Sequence, residues 1–161
     1  MTIVLATSED INGIVDLIQK RIDWMDQTGI NHWNKSDYLK TFSLSYFDSV
    51  IKNKNLFQVL DFNDELIGGF TLFQSDRRWT DNIPALYIHN FVSKIDTKGV
   101  GDAIITFCEK EAIQRGINTL RIDCQQQNAK LNAYYEERGF YYVSSFDEPL
   151  YQGNRREKKL F

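Results

Sequence analysis

A chain of 161 residues, 42% apolar and 25% charged, has the composition of one ordinary folded domain (residues 1–161) and not of a disordered segment. Its net charge of −3 excludes the concentrated positive face that counterion release from nucleic acid requires. The one dense basic cluster, Arg155-Arg156 with Lys158-Lys159, reads as an edge strand guarded by charge.

Other classes fall away on short segments. Met1–Ala6 is too short and too uncharged for a secretory signal, and no run of about twenty apolar residues is present to cross a membrane. Cys108 and Cys124 form no CxxC pair and read as buried, reduced thiols, which points to the cytoplasm. His32 and His89 lack ligand spacing, so no metal is expected.

In chain order, Ile3–Ala6 reads as a strand, and Thr7 or Ser8 can cap a helix with Glu9 and Asp10 in its first turn. Ile11, Ile14, Val15, Ile18, Ile22 and Met25 recur at helical spacing, and Gly29 ends the run. Ser45 with Asp48 suggests a capping box for a helix through Val50 and Ile51. Leu56–Phe62, a turn at Asn63-Asp64, and Leu66–Phe73 read as a hairpin, with Gly68-Gly69 weakening or bulging its second strand. Ala85–Val92 is a further strand. Gly99–Arg115 is a helix stopped by Gly116, Thr119–Cys124 a strand, Asn128–Arg138 a helix stopped by Gly139, Phe140–Ser145 a strand, and Arg156–Phe161 the last strand. Helices crossing between strands predict an α/β fold around a mixed, twisted sheet.

Two segments carry chemistry. Thr97-Lys98-Gly99-Val100-Gly101-Asp102 lies between a strand and a helix, where backbone N–H groups at the positive end of the helix suit a pyrophosphate and glycines permit close approach. A dinucleotide fingerprint would need a third glycine after the first strand, and a Walker A loop would need Gly-Lys-Ser/Thr; both are absent. Alone, this loop is equally a tight turn. About thirty residues later come Asn128, Asn132, Tyr134, Tyr135 and Gly139-Phe140.

Together the two segments resemble the GCN5-related N-acetyltransferase (GNAT) superfamily, whose signature is R/Q-x-x-G-x-G/A opening the long helix, then Asn, then Tyr-x-x-x-Gly-Phe. Tyr135 is four residues before Gly139 and Asn128 seven before Tyr135, as in that pattern. One departure stands out: the family's Arg or Gln falls where this chain has Asp96, which is unfavourable beside a phosphate unless Lys94 or Lys98 supplies the charge.

The resemblance implies a GNAT-type, mostly antiparallel sheet of about six to seven strands with helices on both faces. It implies direct transfer of acetyl from acetyl-CoA to a primary amine on a small molecule or protein, and a homodimer is a further expectation. By the same resemblance, Lys98, Gly99, Val100, Gly101 and Asp102 hold the cofactor phosphates. Phe91 and Val92 on the fourth strand supply the donor facing the thioester carbonyl, Asn128 and Asn132 meet the pantetheine amides, and Tyr135 protonates the CoA thiolate. Tyr134 and Tyr135 face about 100° apart on a helix, so one of them packs and the other faces the cofactor. The base is His89 or Asp123, although Arg121 and Asp123 share a sheet face and can instead pair with each other. The acceptor pocket falls on Trp33, Asp76, Trp79 and His89. A non-catalytic CoA-binding module is the alternative.

Overall fold

The structure is a computed structural model describing Met1–Phe161. Its seven strands are β1 (Thr2–Leu5), β2 (Leu56–Leu60), β3 (Leu66–Phe73), β4 (Leu86–Ser93), β5 (Thr119–Gln125), β6 (Tyr141–Glu148) and β7 (Tyr151–Lys159). They form one mixed, open sheet in the order β1-β2-β3-β4-β5-β7-β6, in which β4 and β5 are parallel. The helices are α1 (Ile11–Thr28), α2 (Tyr38–Thr41), α3 (Leu44–Lys52), α4 (Val100–Gln114) and α5 (Ala129–Glu137). The chain divides into two compact units, Met1–Leu72 with Asn90–Phe107 and Phe73–His89 with Cys108–Phe161.

In the first unit, β1 pairs antiparallel with β2 and β2 with β3. The predicted turn closes on Asp61, whose Oδ1 accepts the amides of Asn63 and Glu65, while Asp64 takes a left-handed φ of 61°. The irregularity expected at the paired glycines lies beside them, between Val59 and Leu60 on the facing strand. The glycines serve packing. A Cβ on Gly69 would meet Ile14 of α1 at 3.3 Å, and one on Gly68 would meet Val100 of α4 at 2.7 Å. Successive strand residues point to opposite faces, so α1 and the start of α4 cover the two sides of β3. Ile14, Ile18, Phe47, Leu56, Val59, Phe70, Val100 and Ile104 are fully buried in this unit's core, and Phe57 stacks on Phe70 with Phe107 edge-on.

One local expectation is corrected here. The cap of α3 is Ser43, whose side chain accepts from the Tyr46 amide, so the helix begins one residue before Ser45 and the Ser45–Asp48 box is not its start. Residues 33–35 and 38–41, which the sequence assigned to no element, form a helical turn and the short α2, where Trp33 stacks on Tyr38, Tyr38 tilts against Phe42 and Phe42 meets Tyr46 edge-on.

In the second unit, β5 pairs along its length with β7, and β7 with β6. The basic run is therefore not an edge: β7 starts at Tyr151 and lies inside the sheet, and Arg156 and Glu157 are buried. The chain turns at Pro149-Leu150 and threads the second strand of the hairpin between β5 and β6, leaving β6 at the rim. The buried charges on β7 persist because each is paired, as buried charges must be. One face of β5–β7 meets α5 and the end of α4, through Cys124, Asn154 and Arg156 against Asn132 and through Lys158 against Glu109. The opposite face, carrying Arg121, Asp123 and Arg155, is covered by the loop between β3 and β4.

Candidate active site

That loop is folded by its own polar residues. Asp76 Oδ1 accepts the Arg78 amide at 2.8 Å and the Asp76 carbonyl accepts the Trp79 amide at 3.1 Å, a side-chain-stabilised turn. Trp79 lies 4.0 Å over the guanidinium of Arg121. Arg121, 1% exposed, donates to Glu157 Oε2 at 2.7 Å, to both Asp81 oxygens at 2.9 Å, and to the Tyr87 hydroxyl at 3.0 Å. Arg121 thus does not pair with Asp123, and Trp79, expected in an acceptor pocket, anchors the loop against a buried arginine.

Asp123 belongs to a second network. Arg78 grips Glu148 with Nε and Nη2 at 3.0 Å each and reaches Asp123 Oδ1 with Nη1 at 3.3 Å, and Tyr151 donates to Asp123 Oδ2 at 2.9 Å. Burial would weaken the Arg78 charge, but Glu148 and Asp123 outweigh it and raise the guanidinium pKa further. Asp76, Oδ2 foremost, His89 and Asp123 then converge: one ligand-capable atom from each lies within 4.8 Å of the others. Asp76 Oδ2 is completely buried and stands 2.7 Å from His89 Nε2, a close ion-pair contact rather than an aligned hydrogen bond, and no other group donates a hydrogen bond to it. A buried oxygen left unpaired costs about 1–3 kcal/mol, so the imidazole is what makes this carboxylate tolerable. Burial pushes the Asp76 pKa up, yet contact with His89, the Arg78 amide and the Arg78 charge overcome it, and the net shift is down.

On the α5 side, Asn128 caps the helix by accepting the Leu131 amide at 3.0 Å. Asn132 is the centre of a buried network. Its Oδ1 accepts from Arg156 Nε and Nη2, Asn154 Nδ2 and Cys124 Sγ, at 2.9–3.3 Å. Its Nδ2 donates to the carbonyls of Gln125 and Asn128. The Asn132 amide is thus committed to the protein, and Asn128 uses its Oδ1 in the helix cap. Tyr135 is 5% exposed and stands edge-on to Phe140 and Tyr134. Burial first, then Cys124, Tyr134 and Asp123, raise its pKa well above that of free tyrosine, so the phenol stays protonated. Tyr134 is the neighbour that turns outward, with Arg138 3.4 Å over its ring.

In the first unit, Val92 is buried and Phe91 half-buried on β4, just after Asn90, whose φ of 48° is left-handed in mid-strand. Asn90 is held there by Tyr46 at 2.7 Å, Thr71 at 2.9 Å and Tyr38 at 2.8 Å. The β4–β5 ladder ends at Ile88↔Ile122, before this kink, although both strands run on. Lys98 and Gly99 are exposed at the mouth of α4, Gly99 with φ of 80°, Val100 is buried, Gly101 is half-buried and Asp102 is exposed. The first helical hydrogen bond runs from the Ala103 amide to the Gly99 carbonyl, so the amides of the first turn have no acceptor within the helix. Asp96, exposed, exerts its charge on Arg21, which burial disfavours and Asp96 partly restores. Arg21 is thus a cation near Asp96 that the sequence signature did not single out. Trp33 stacks on Tyr38 at 4.3 Å in this unit, whereas Asp76, Trp79 and His89 belong to the other.

The mixed, open seven-stranded sheet with its helices is the α/β fold of the acetyltransferase class. Solved structures of that class share its fold. An acetyltransferase from Listeria monocytogenes superposes with a TM-score of 0.80 at 21% identity, over 99% of this chain and 94% of that one. The PaiA N-acetyltransferase of Thermoplasma acidophilum, solved with coenzyme A, gives 0.76 at 18% identity over 98% of each chain. The ribosomal-protein-alanine N-acetyltransferase of Brucella melitensis gives 0.73 at 14% identity, over 99% of this chain and 100% of that one. No curated protein sequence is significantly similar. The model of the acetyltransferase (GNAT) domain matches residues 3–158, and the chain belongs to this family of N-acetyltransferase enzymes. No helix is long and apolar enough to cross a membrane.

Proposed function

We propose that the protein transfers an acetyl group from acetyl-CoA directly to a primary amine, with His89 accepting the amine proton and Tyr135 protonating the departing thiolate. The observation that carries this reading is the surroundings of Asp123. Its carboxylate lies within 4.8 Å of the His89–Asp76 pair, and its charge acts on the Tyr135 hydroxyl. An acid held protonated by burial and an imidazole base are thus both within electrostatic reach of one residue of the second unit.

Acetyl-CoA supplies the activated acyl group. The chain's own residues do the rest. The start of α4, from Lys98 through Asp102, presents first-turn amides and one exposed lysine to an anion, and Gly99 is open enough for close approach because only Met1 Cε, at 3.7 Å, would meet a Cβ there. The β4 backbone at Phe91 and Val92, past the point where pairing with β5 ends, supplies the donor that stabilises charge on the carbonyl oxygen. The two buried cysteines are free, and we place the enzyme in the cytoplasm, where they stay reduced.

The test is thiol release from acetyl-CoA across a panel of small amines, amino acids and peptides. Amine-dependent release that collapses in His89→Ala supports the reading. Binding of CoA with no release across the panel would instead favour the non-catalytic module.

A further inference from the structure

Asp76, His89 and Asp123 present three ligand-type atoms to one point, and a metal ion and a shared proton are the two ways to use them. The spacing chooses. Two ligands about 2.1 Å from a tetrahedral ion stand roughly 3.4 Å apart, whereas His89 Nε2 and Asp76 Oδ2 are 2.7 Å apart, the separation of a hydrogen-bonded pair. The charge agrees. Arg78 already occupies Asp123 Oδ1, and Tyr151 donates to Oδ2. A cation would have to enter beside a guanidinium.

We propose that Asp76 is a positioning residue for His89: its buried Oδ2 holds the proton on Nε2 and leaves the lone pair on Nδ1, so that Nδ1 is the atom that takes the amine proton. The base role rests on the functional reading above; the tautomer does not. Three features support it. Asp76 Oδ2 is buried with no aligned hydrogen bond from any group and stands 2.7 Å from Nε2, a separation at which an unprotonated nitrogen would set lone pair against lone pair. The carboxylate is locked from its other side, because Oδ1 accepts the Arg78 amide. Arg78 is itself pinned to Glu148 and Asp123, which ties the loop bearing Asp76 to β5 and β6. The charged groups facing the imidazole are therefore Asp76 and Arg78 from the loop and Asp123 from β5, with Glu148 of β6 and Tyr151 of β7 behind Arg78. A neutral imidazole has one N–H, and the only carboxylate at 2.7 Å determines which nitrogen carries it. In the step itself the neutral amine attacks the thioester carbon, its N–H proton passes to Nδ1, the C–S bond breaks, and the thiolate leaves with the electron pair and is protonated by Tyr135.

Long-range proton–nitrogen correlation spectra of the uniformly labelled protein test this without any turnover. Only two histidines contribute, and His32→Gln assigns them. The expected result is the Nε2–H tautomer for neutral His89, with a mixed or Nδ1–H pattern in Asp76→Asn. An Nδ1–H pattern in the unmodified protein would overturn the proposal. So would movement of the His89 nitrogens on adding one equivalent of zinc, which would establish a metal site. With an accepted amine, Asp76→Asn should lower kcat roughly 10- to 100-fold at unchanged KM for acetyl-CoA, and Asp76→Glu should recover part of it. Full activity in Asp76→Asn would overturn the positioning role. Full activity in His89→Ala beside an intact Nε2–H tautomer would overturn the base assignment alone.

Discussion

Tyr135 and Asn132 sit three residues apart on α5, one the proposed thiolate acid and the other the centre of a buried hydrogen-bond network. Tyr135→Phe removes one oxygen from a side chain already packed by Phe140 and Tyr134, so the fold should hold. We expect kcat to fall by roughly 100-fold or more, with CoA affinity little changed. An unchanged kcat, measured by thiol release, would remove the tyrosine from the mechanism. Asn132→Ala should behave in the opposite way. It strips Arg156, 3% exposed, of the acceptor of two of its N–H groups and leaves Asn154 Nδ2 without its acceptor. A loss of about 2–4 kcal/mol in urea unfolding is expected. A raised KM for acetyl-CoA at unaltered stability would restore the cofactor-arm reading instead. The sequence pointed to both residues through one motif, yet could not separate them. The partners of Asn132 come from β5 and β7, and Arg156 looked like surface charge until β7 proved to be an inner strand. Arg78 was missed for the same reason: beside Arg77 in a loop, nothing local shows that its partners are Asp123 and Glu148, some 45 and 70 residues away.

At the level of elements, hydrophobic periodicity and glycine punctuation placed β1 to β5, α1, α4 and α5 nearly where they lie, because those signals are local. The positive φ values at Gly29, Gly116 and Gly139 are the three predicted helix stops. What failed needed tertiary contacts: α2 is held by stacked aromatics, and strand order around β7 depends on a register no local pattern encodes. The Gly68-Gly69 pair shows the difference. Locally it reads as a weakened strand; in the fold it lets a helix approach each side of β3. Gly68→Ala should therefore destabilise by about 1–3 kcal/mol, since its Cβ must displace Val100, the first residue of α4, and crowd the Val92 carbonyl at 3.1 Å. Because Val100 lies inside the proposed phosphate-binding turn, weaker CoA binding should accompany the lost stability. Calorimetry with CoA checks both, and an alanine variant as stable as the parent would show that α4 can simply shift.

For the molecule as a whole, the paired carboxylates govern acid behaviour. Glu157 is 5% exposed; burial raises its pKa, but Tyr141, Lys159 and Arg121 together pull it below the usual value. Glu148 is lowered by its two-pronged bond from Arg78 against a smaller effect of burial. Both have folded-state pKa values below the unfolded value of about 4.3. A depressed carboxylate contributes stability that is fully present above the unfolded pKa and is lost as pH falls through the folded one. The urea midpoint should accordingly hold steady from pH 7 to about pH 5 and drop steeply below about pH 4. Glu157→Gln gives the decisive comparison. At pH 7 the glutamine leaves Arg121 buried with Asp81 as its remaining carboxylate partner, and Asp81 is largely solvent-facing, so the variant should be clearly less stable. As the parent protonates Glu157 on acidification it comes to resemble the variant, and the two midpoints should converge once the pH has fallen below the depressed folded-state pKa of Glu157. Parallel curves would mean that Glu157 titrates alike in the folded and unfolded chains and that the Arg121 cluster is not what acid dissolves.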